Sequence, residues 1–210
     1  MTEQIKDYCK IHTSKESELL YRLYRETNIK TLRPRMLAGN FQGRFLSMLS
    51  KMLKPTNILE IGTFTGYSAL CLAEGLLRNG ELHTIEMEEE LKEIITKYFN
   101  LSEYKDQLHL HIGNALEIIP SLNKNWDLVF IDAEKTEYLE YYEMVLPYVK
   151  QGGFILADNV LWNGKVIEPV AENDTNTKAI MDFNDYIQND NRINNLLLPV
   201  RDGLFLIEKL

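Results

Sequence analysis

The chain predicts an α/β fold with a mostly parallel sheet, and three observations carry that prediction. Helical and strand patterns alternate from residue 57 to residue 157. Five short apolar strand patterns separated by helices call for a parallel sheet covered on both faces. Two further strand patterns, RINNLLLPV and GLFLIEK, meet through Arg201-Asp202-Gly203, which predicts an antiparallel hairpin at one edge.

In order along the chain, Thr13-x-x-Glu16 has the form of a capping box opening a helix that turns Leu19, Leu20, Leu23 and Tyr24 inward. A second helix runs through FQGRFLSMLSKML and stops before Pro55. NILEI then reads as strand, GYSALCLAEGLL as helix, ELHTIE as strand and EEELKEIITKYF as helix. QLHLHI is the third strand, and Asn114-x-x-Glu117 caps a short helix after it. DLVFI, TEYLEYYEMVLPYV and GFILA give strand, helix and strand, and a last helix lies near residues 177 to 188. Repeats and low-complexity segments are absent, so the 210 residues read as one domain, the first 54 forming helices expected to contribute to the cover of substrate and cofactor.

Composition narrows the function. A net charge of -8 and a pI near 5.1 argue against nucleic acid as the main partner. Cys9 and Cys71 lie far apart and lack metal-ligand spacing, and the opening MTEQIKDYCK is polar. A reduced, cytoplasmic protein without a signal peptide is expected. No apolar run approaches the roughly 20 residues that cross a bilayer, so no membrane partner is expected.

In open parallel sheets ligands gather outside the carboxyl ends of the strands, so the residues just after each strand matter most. The first crossover carries Glu60, Gly62, Gly66, Tyr67 and Ser68 in the pattern E-x-G-x-x-x-G. Glycines there allow a tight turn and close approach to a ligand, and the following helix offers free N–H groups. A nicotinamide fingerprint is G-x-G-x-x-G, so the spacing argues against a dinucleotide. The second strand ends in Glu86, 20 residues past Gly66, where a carboxylate can accept both hydroxyls of a ribose. GGFILADNV ends in Asp158 and Asn159, which taken alone is ordinary turn chemistry. His83, His109 and His111 sit in strand patterns with no carboxylate at ligand spacing, and a structural role is expected. Tyr138, Tyr141, Tyr142 and Tyr148 read as helix packing.

ILEIGTFTGYSALCLAEGL, VFIDAEKTEYLEYYEMVLPYVKQGGFILADNVLWNG and PVRDGLFLIEKL together resemble the metal-dependent class I S-adenosylmethionine O-methyltransferases. Catechol and caffeoyl-CoA O-methyltransferases belong to that group, and the similarity runs from about Thr31 to the end of the chain. The resemblance implies a Rossmann-like seven-stranded sheet of order 3-2-1-4-5-7-6, with strand 7 antiparallel and helices on both faces. It implies S-adenosylmethionine bound by Met36, Ala38, Glu60, Gly62, Phe64, Gly66, Tyr67, Ser68, Glu86, Gly113, Asn114, Ala115 and Asp132. It also implies a divalent metal, magnesium or alternatively manganese or calcium, on Asp132, Asp158 and Asn159, an oxygen set suited to hard cations. Lys135 corresponds to the base that deprotonates the acceptor, with Asp132 as its catalytic partner.

The implied reaction is methyl transfer from a sulfonium to a phenolic hydroxyl of a catechol-type acceptor, within a homodimer. Lys135, Asn159 and Trp162 are expected against the acceptor, and residues 160 to 175 are expected to wall it, Asn163, Lys165 and Val166 included. Leu196 stands where the animal catechol enzymes place an acid, so the acceptor is expected to differ from catechol itself. Arg22, Arg25, Lys30, Arg33, Arg35 and Arg44 could meet an acidic substrate tail or a second subunit, or form a solvated face. A nicotinamide oxidoreductase is disfavoured by the glycine spacing, and a non-catalytic cofactor-binding protein is the remaining alternative.

Overall fold

The structure, a computed structural model, describes residues 3–210. Met1 and Thr2, where the polar opening begins, lie outside the described residues. Seven strands form one sheet: β1 (Asn57–Ile61), β2 (Glu81–Glu86), β3 (Leu108–Ile112), β4 (Trp126–Ile131), β5 (Val149–Asp158), β6 (Ile193–Leu198) and β7 (Leu204–Lys209). Their order is β3-β2-β1-β4-β5-β7-β6. Strands β1 to β5 pair in parallel, while β7 runs antiparallel to both β5 and β6. This is the order and orientation the resemblance implied.

Among the described residues eight α-helices surround the sheet: α1 (Glu3–Ile11), α2 (Glu18–Lys30), α3 (Gly39–Leu53), α4 (Tyr67–Ala73), α5 (Lys92–Leu101), α6 (Ala115–Ile118), α7 (Tyr138–Val145) and α8 (Thr175–Gln188). Because successive strand residues point to opposite faces, each central strand feeds two cores. Leu59, Ile61, Val129, Ile131 and Ile155 meet α7 and α8 through Tyr138, Tyr142, Ile180 and Phe183. Ile58, Leu82, Leu128, Phe130 and Leu156 meet α2 to α5 through Leu23, Leu46, Leu70 and Ile95.

Several local expectations need correction. Helix α2 begins at Glu18, with Ser17 as its N-cap accepting from the Leu20 N–H. The expected box residues have other partners: the Thr13 hydroxyl donates to the Cys9 carbonyl, and Glu16 accepts from the Tyr67 hydroxyl. Leu20 and Leu23 are buried, but Tyr24 is exposed. Tyr148 is also exposed, whereas Tyr138, Tyr141 and Tyr142 pack as expected. Of the N-terminal basic residues, Arg44 is tied to Glu74 and Lys30 to Glu26, so neither is a free cation.

Candidate active site

Register brings the important strand ends together. Ile61 pairs with Ile85 on one side and Ile131 on the other, and Ile131 pairs with Ala157. The residues that follow, Gly62, Glu86, Asp132 and Asp158, therefore emerge side by side along the carboxyl edge. Glycine is required at 62: φ is +99°, and a Cβ would lie 2.1 Å from the Asp132 carbonyl oxygen. The same close approach lets the Asp132 N–H donate to Ile61 O at 2.9 Å. Gly66, at φ +90°, begins α4, and no side chain caps that helix.

Glu86 braces the first turn. Its two carboxylate oxygens accept the Phe64 N–H at 2.7 Å and the Glu88 N–H at 2.9 Å, and they hold Phe64 at φ +50°. Burial raises the Glu86 carboxyl above the usual range, against these N–H groups, which lower it. The next strand end lies beside it, since Gly113 N–H donates to Glu86 O at 2.8 Å. The Asn114 side chain is committed to capping α6 through the Leu116 N–H, and Ala115 is buried.

Glu60 lies under this turn, fully buried, with Thr84 donating to Oε2 at 2.5 Å and the Ser68 hydroxyl beside it. Its Oε1 has no hydrogen-bond partner within bonding geometry among the described residues, and burial, opposed by Thr84 and Ser68, pushes the carboxyl up to about 8. Between pH 4.5 and 8 the folded chain keeps a proton on Glu60 that the unfolded chain has released, so stability falls as pH rises through that window. Glu86, Asp158 and Asp202 are shifted in the same direction. His83 and His111 are shifted down and act oppositely, but only below their ordinary value of 6.5. The ligand-free protein should therefore lose on the order of 2 kcal/mol between about pH 6.5 and 8. Glu60→Gln should remove most of that slope in urea melts, and an unchanged slope would clear Glu60 of the effect.

The acidic pair sits at the ends of β4 and β5. Asp158 is 3% exposed, and its carboxyl is pushed up to about 7, first by burial and then by the charge of Asp132. Asp158 Oδ1 accepts the Asn159 N–H at 2.8 Å and Oδ2 accepts Gln42 Nε2 at 2.6 Å. Asn159 itself is left-handed, at φ +61°. Lys135 is buried; its Nζ lies 3.0 Å from Asp132 Oδ1 and 2.5 Å from the Tyr138 hydroxyl. That hydroxyl donates to Asp158 O at 3.0 Å. Tyr138 thus joins the lysine on one strand end to the backbone of the other.

Three participants were missed from the sequence. Tyr138 was read only as packing, although Lys135-x-x-Tyr138 is a helical spacing that brings the two side chains together. Gln42 and Arg201 left no local signal. Arg201 in the hairpin turn donates to Ala38 O at 2.5 Å and to Gln42 Oε1, and so fastens the start of α3 over the site. Met36 is 52% exposed, and the Tyr67 side chain is buried with its hydroxyl on Glu16. Trp162 packs partly buried against the α7 and α8 core. The segment around it is stitched to the hairpin turn by Val160 N–H to Gly203 O, Leu161 N–H to Asp202 O and Asn163 N–H to the Asp202 carboxylate. Lys165 is engaged with Asp174 at 2.8 Å.

Known proteins share this architecture and sequence. A family model described as O-methyltransferase matches residues 10–210. A protein named "Probable caffeoyl-CoA O-methyltransferase 2" from Dictyostelium discoideum is 32% identical, covering 98% of this chain and 91% of its own. Catechol O-methyltransferase of Niastella koreensis is 36% identical over 60% of this chain and 59% of its own. Among solved structures, an O-methyltransferase from Bacillus cereus in complex with SAH superposes with a TM-score of 0.90 at 27% identity, covering 99% of this chain and 97% of that one. With a family model spanning nearly all of it and a relative alike over almost its whole length, the chain belongs to the O-methyltransferase family, the S-adenosylmethionine-dependent class its motifs resemble.

Proposed function

We propose that the protein transfers the methyl group of S-adenosylmethionine to one hydroxyl of a vicinal-diol phenol, with a divalent cation held by Asp132, Asp158 and Asn159. The observation that carries this reading is the pairing of two strand-end carboxylates with a buried lysine fixed between them. The residue types suit a hard cation: Asp132 and Asp158 offer carboxylates and Asn159 an amide oxygen, and the Asp158 carboxyl is raised first by burial and then by the charge of Asp132, with Lys135 opposing. Such a cation, when bound, supplies positive charge that favours ionisation of the acceptor hydroxyl.

The chain's own groups do the rest. Glu60 presents an unpartnered buried oxygen suited to the ammonium of the donor's methionine part. Glu86 keeps further lone pairs for the ribose hydroxyls beyond those its backbone partners occupy. Lys135 Nζ, in its neutral amine form, takes the acceptor's proton and becomes the ammonium; the oxygen attacks the sulfonium methyl carbon, the C–O bond forms as the C–S bond breaks, and the sulfur leaves neutral. Tyr138 holds the lysine at the station where this occurs. Residues 160 to 175, tied to the hairpin turn, wall the acceptor. The names of the Dictyostelium and Niastella relatives support a caffeoyl-CoA or catechol type of acceptor, and the bound product of the Bacillus protein supports the methyl donor. The proposal includes a cytoplasmic homodimer acting on a small molecule; no helix among the described residues is long and apolar enough to cross a membrane.

The test is methyl transfer from labelled S-adenosylmethionine to a panel of vicinal-diol phenols and their coenzyme A esters. Transfer to none of them, beside tight donor binding, would favour the non-catalytic alternative. The cofactor assignment has its own check. Two charge-assisted bonds at about 1.5–3 kcal/mol each put the expected loss of donor affinity for Glu86→Ala at roughly 10²-fold or more. Glu86→Gln, which keeps one acceptor oxygen for the turn, should lose less. Calorimetry showing unchanged affinity in both variants would remove Glu86 from the donor site.

A further inference from the structure

We propose that Glu81, His83 and His109 form a second metal site, for a borderline transition cation such as zinc, on the face of β2 and the edge strand β3. It lies three to five residues upstream of Glu86 and shares no residue with the acidic pair. Strand alternation puts Glu81 and His83 on one face of β2, and the register sets His109 directly opposite His83. The expectation that no carboxylate accompanies these histidines fails here, because Glu81 is their neighbour on that face. One ligand atom from each of the three residues lies within 4.8 Å of the others. His83 Nε2 is 3.1 Å from Glu81 Oε2, close to the roughly 3.3 Å that separates two ligands of a tetrahedral zinc with bonds of about 2.0 Å.

Independent details point the same way. His109 Nε2 is shut off from solvent and has no hydrogen-bond partner, an unexplained orphan in the ligand cluster. His83 Nδ1 is bonded to His111 Nε2 at 2.9 Å, which leaves Nε2 as the nitrogen facing Glu81; an outer partner of this kind orients metal-ligating histidines. The Trp126 ring closes one side at 5.8 Å. Imidazole nitrogens with one carboxylate suit zinc and its neighbours in preference to magnesium or calcium. Three ligands leave a fourth position for water, and the bound ion clips the edge strand to β2. Lys124 is the competitor: its amine occupies Glu81 Oε2, but with a side chain 30% exposed it can turn out to solvent.

The experiment is zinc chloride titration of the full-length protein against a chromophoric chelator, in excess magnesium to silence the oxygen cluster. One equivalent of zinc should bind, and cobalt in its place should show tetrahedral d–d absorption. His109→Leu should weaken binding by roughly 10²-fold or more, since even outer partners of metal ligands are worth 10–100-fold. Lys124→Ala should tighten it, and this variant carries the test if His109→Leu does not fold. Absence of stoichiometric zinc in excess magnesium would overturn the site. So would affinity unmoved by His109→Leu, or by Lys124→Ala where His109→Leu does not fold.

Discussion

Stripping divalent cations with a chelator is expected to take methyl transfer to a vicinal-diol phenol down at least 10²-fold, because a cation at developing charge is worth several kcal/mol and each 1.36 kcal/mol is tenfold in rate. Magnesium or manganese added back should restore it. Zinc should do so poorly, since Asp132, Asp158 and Asn159 offer oxygen alone. The fold should survive removal: Asp158 keeps its bonds to the Asn159 N–H and to Gln42, and Asp132 keeps Lys135. Donor binding should survive as well, because Glu60 and Glu86 sit on the other strand ends. Asp158→Ala should reproduce the chelator's effect and resist rescue. If fully stripped protein methylates these acceptors at the undiminished rate, Asp158 and Asn159 are a strand-ending turn and nothing more.

The parts of this molecule legible in the sequence are those whose causes are local. NILEI and ELHTIE coincide with β1 and β2 because an apolar run buried on both faces, bounded by turn residues, has few other uses. Asn114 caps α6 as read, since capping is a two-residue event. The carboxyl-edge residues were legible because register follows from the parallel sheet, and register alone sets Gly62, Glu86, Asp132 and Asp158 abreast. What was missed depends on partners remote in sequence. The helix expected to run to Leu77 stops at Ala73: Gly75 lies so close to Ser50 that a Cβ would sit 2.1 Å from its backbone. The Thr13 box failed because Glu16 answers to Tyr67. Gln42 reaches Asp158 across 116 positions, and Arg201 reaches Ala38 across 163. No local pattern encodes such pairings.

Lys135→Met should slow the chemical step by roughly 10²–10⁴, the range for loss of a positioned general base. The substitution keeps the stem's length and apolar packing in a site where the lysine is only 8% exposed, so the loss is confined to the amine. Donor and cation affinity should change little, because Nζ touches neither Glu60 nor Glu86 and gives Asp132 a single bond. The rate should recover in part as pH rises and the acceptor ionises unaided. Tyr138→Phe offers a graded comparison: it removes the hydroxyl that fixes Nζ and bridges to Asp158 O while leaving the amine, so it should cost less than Lys135→Met. Single-turnover rates across pH, with donor and cation saturating, separate these cases. Wild-type rates for Lys135→Met at neutral pH would mean that the acceptor is activated without a protein base, and the buried lysine would be left with balancing the charge of Asp132 and Asp158.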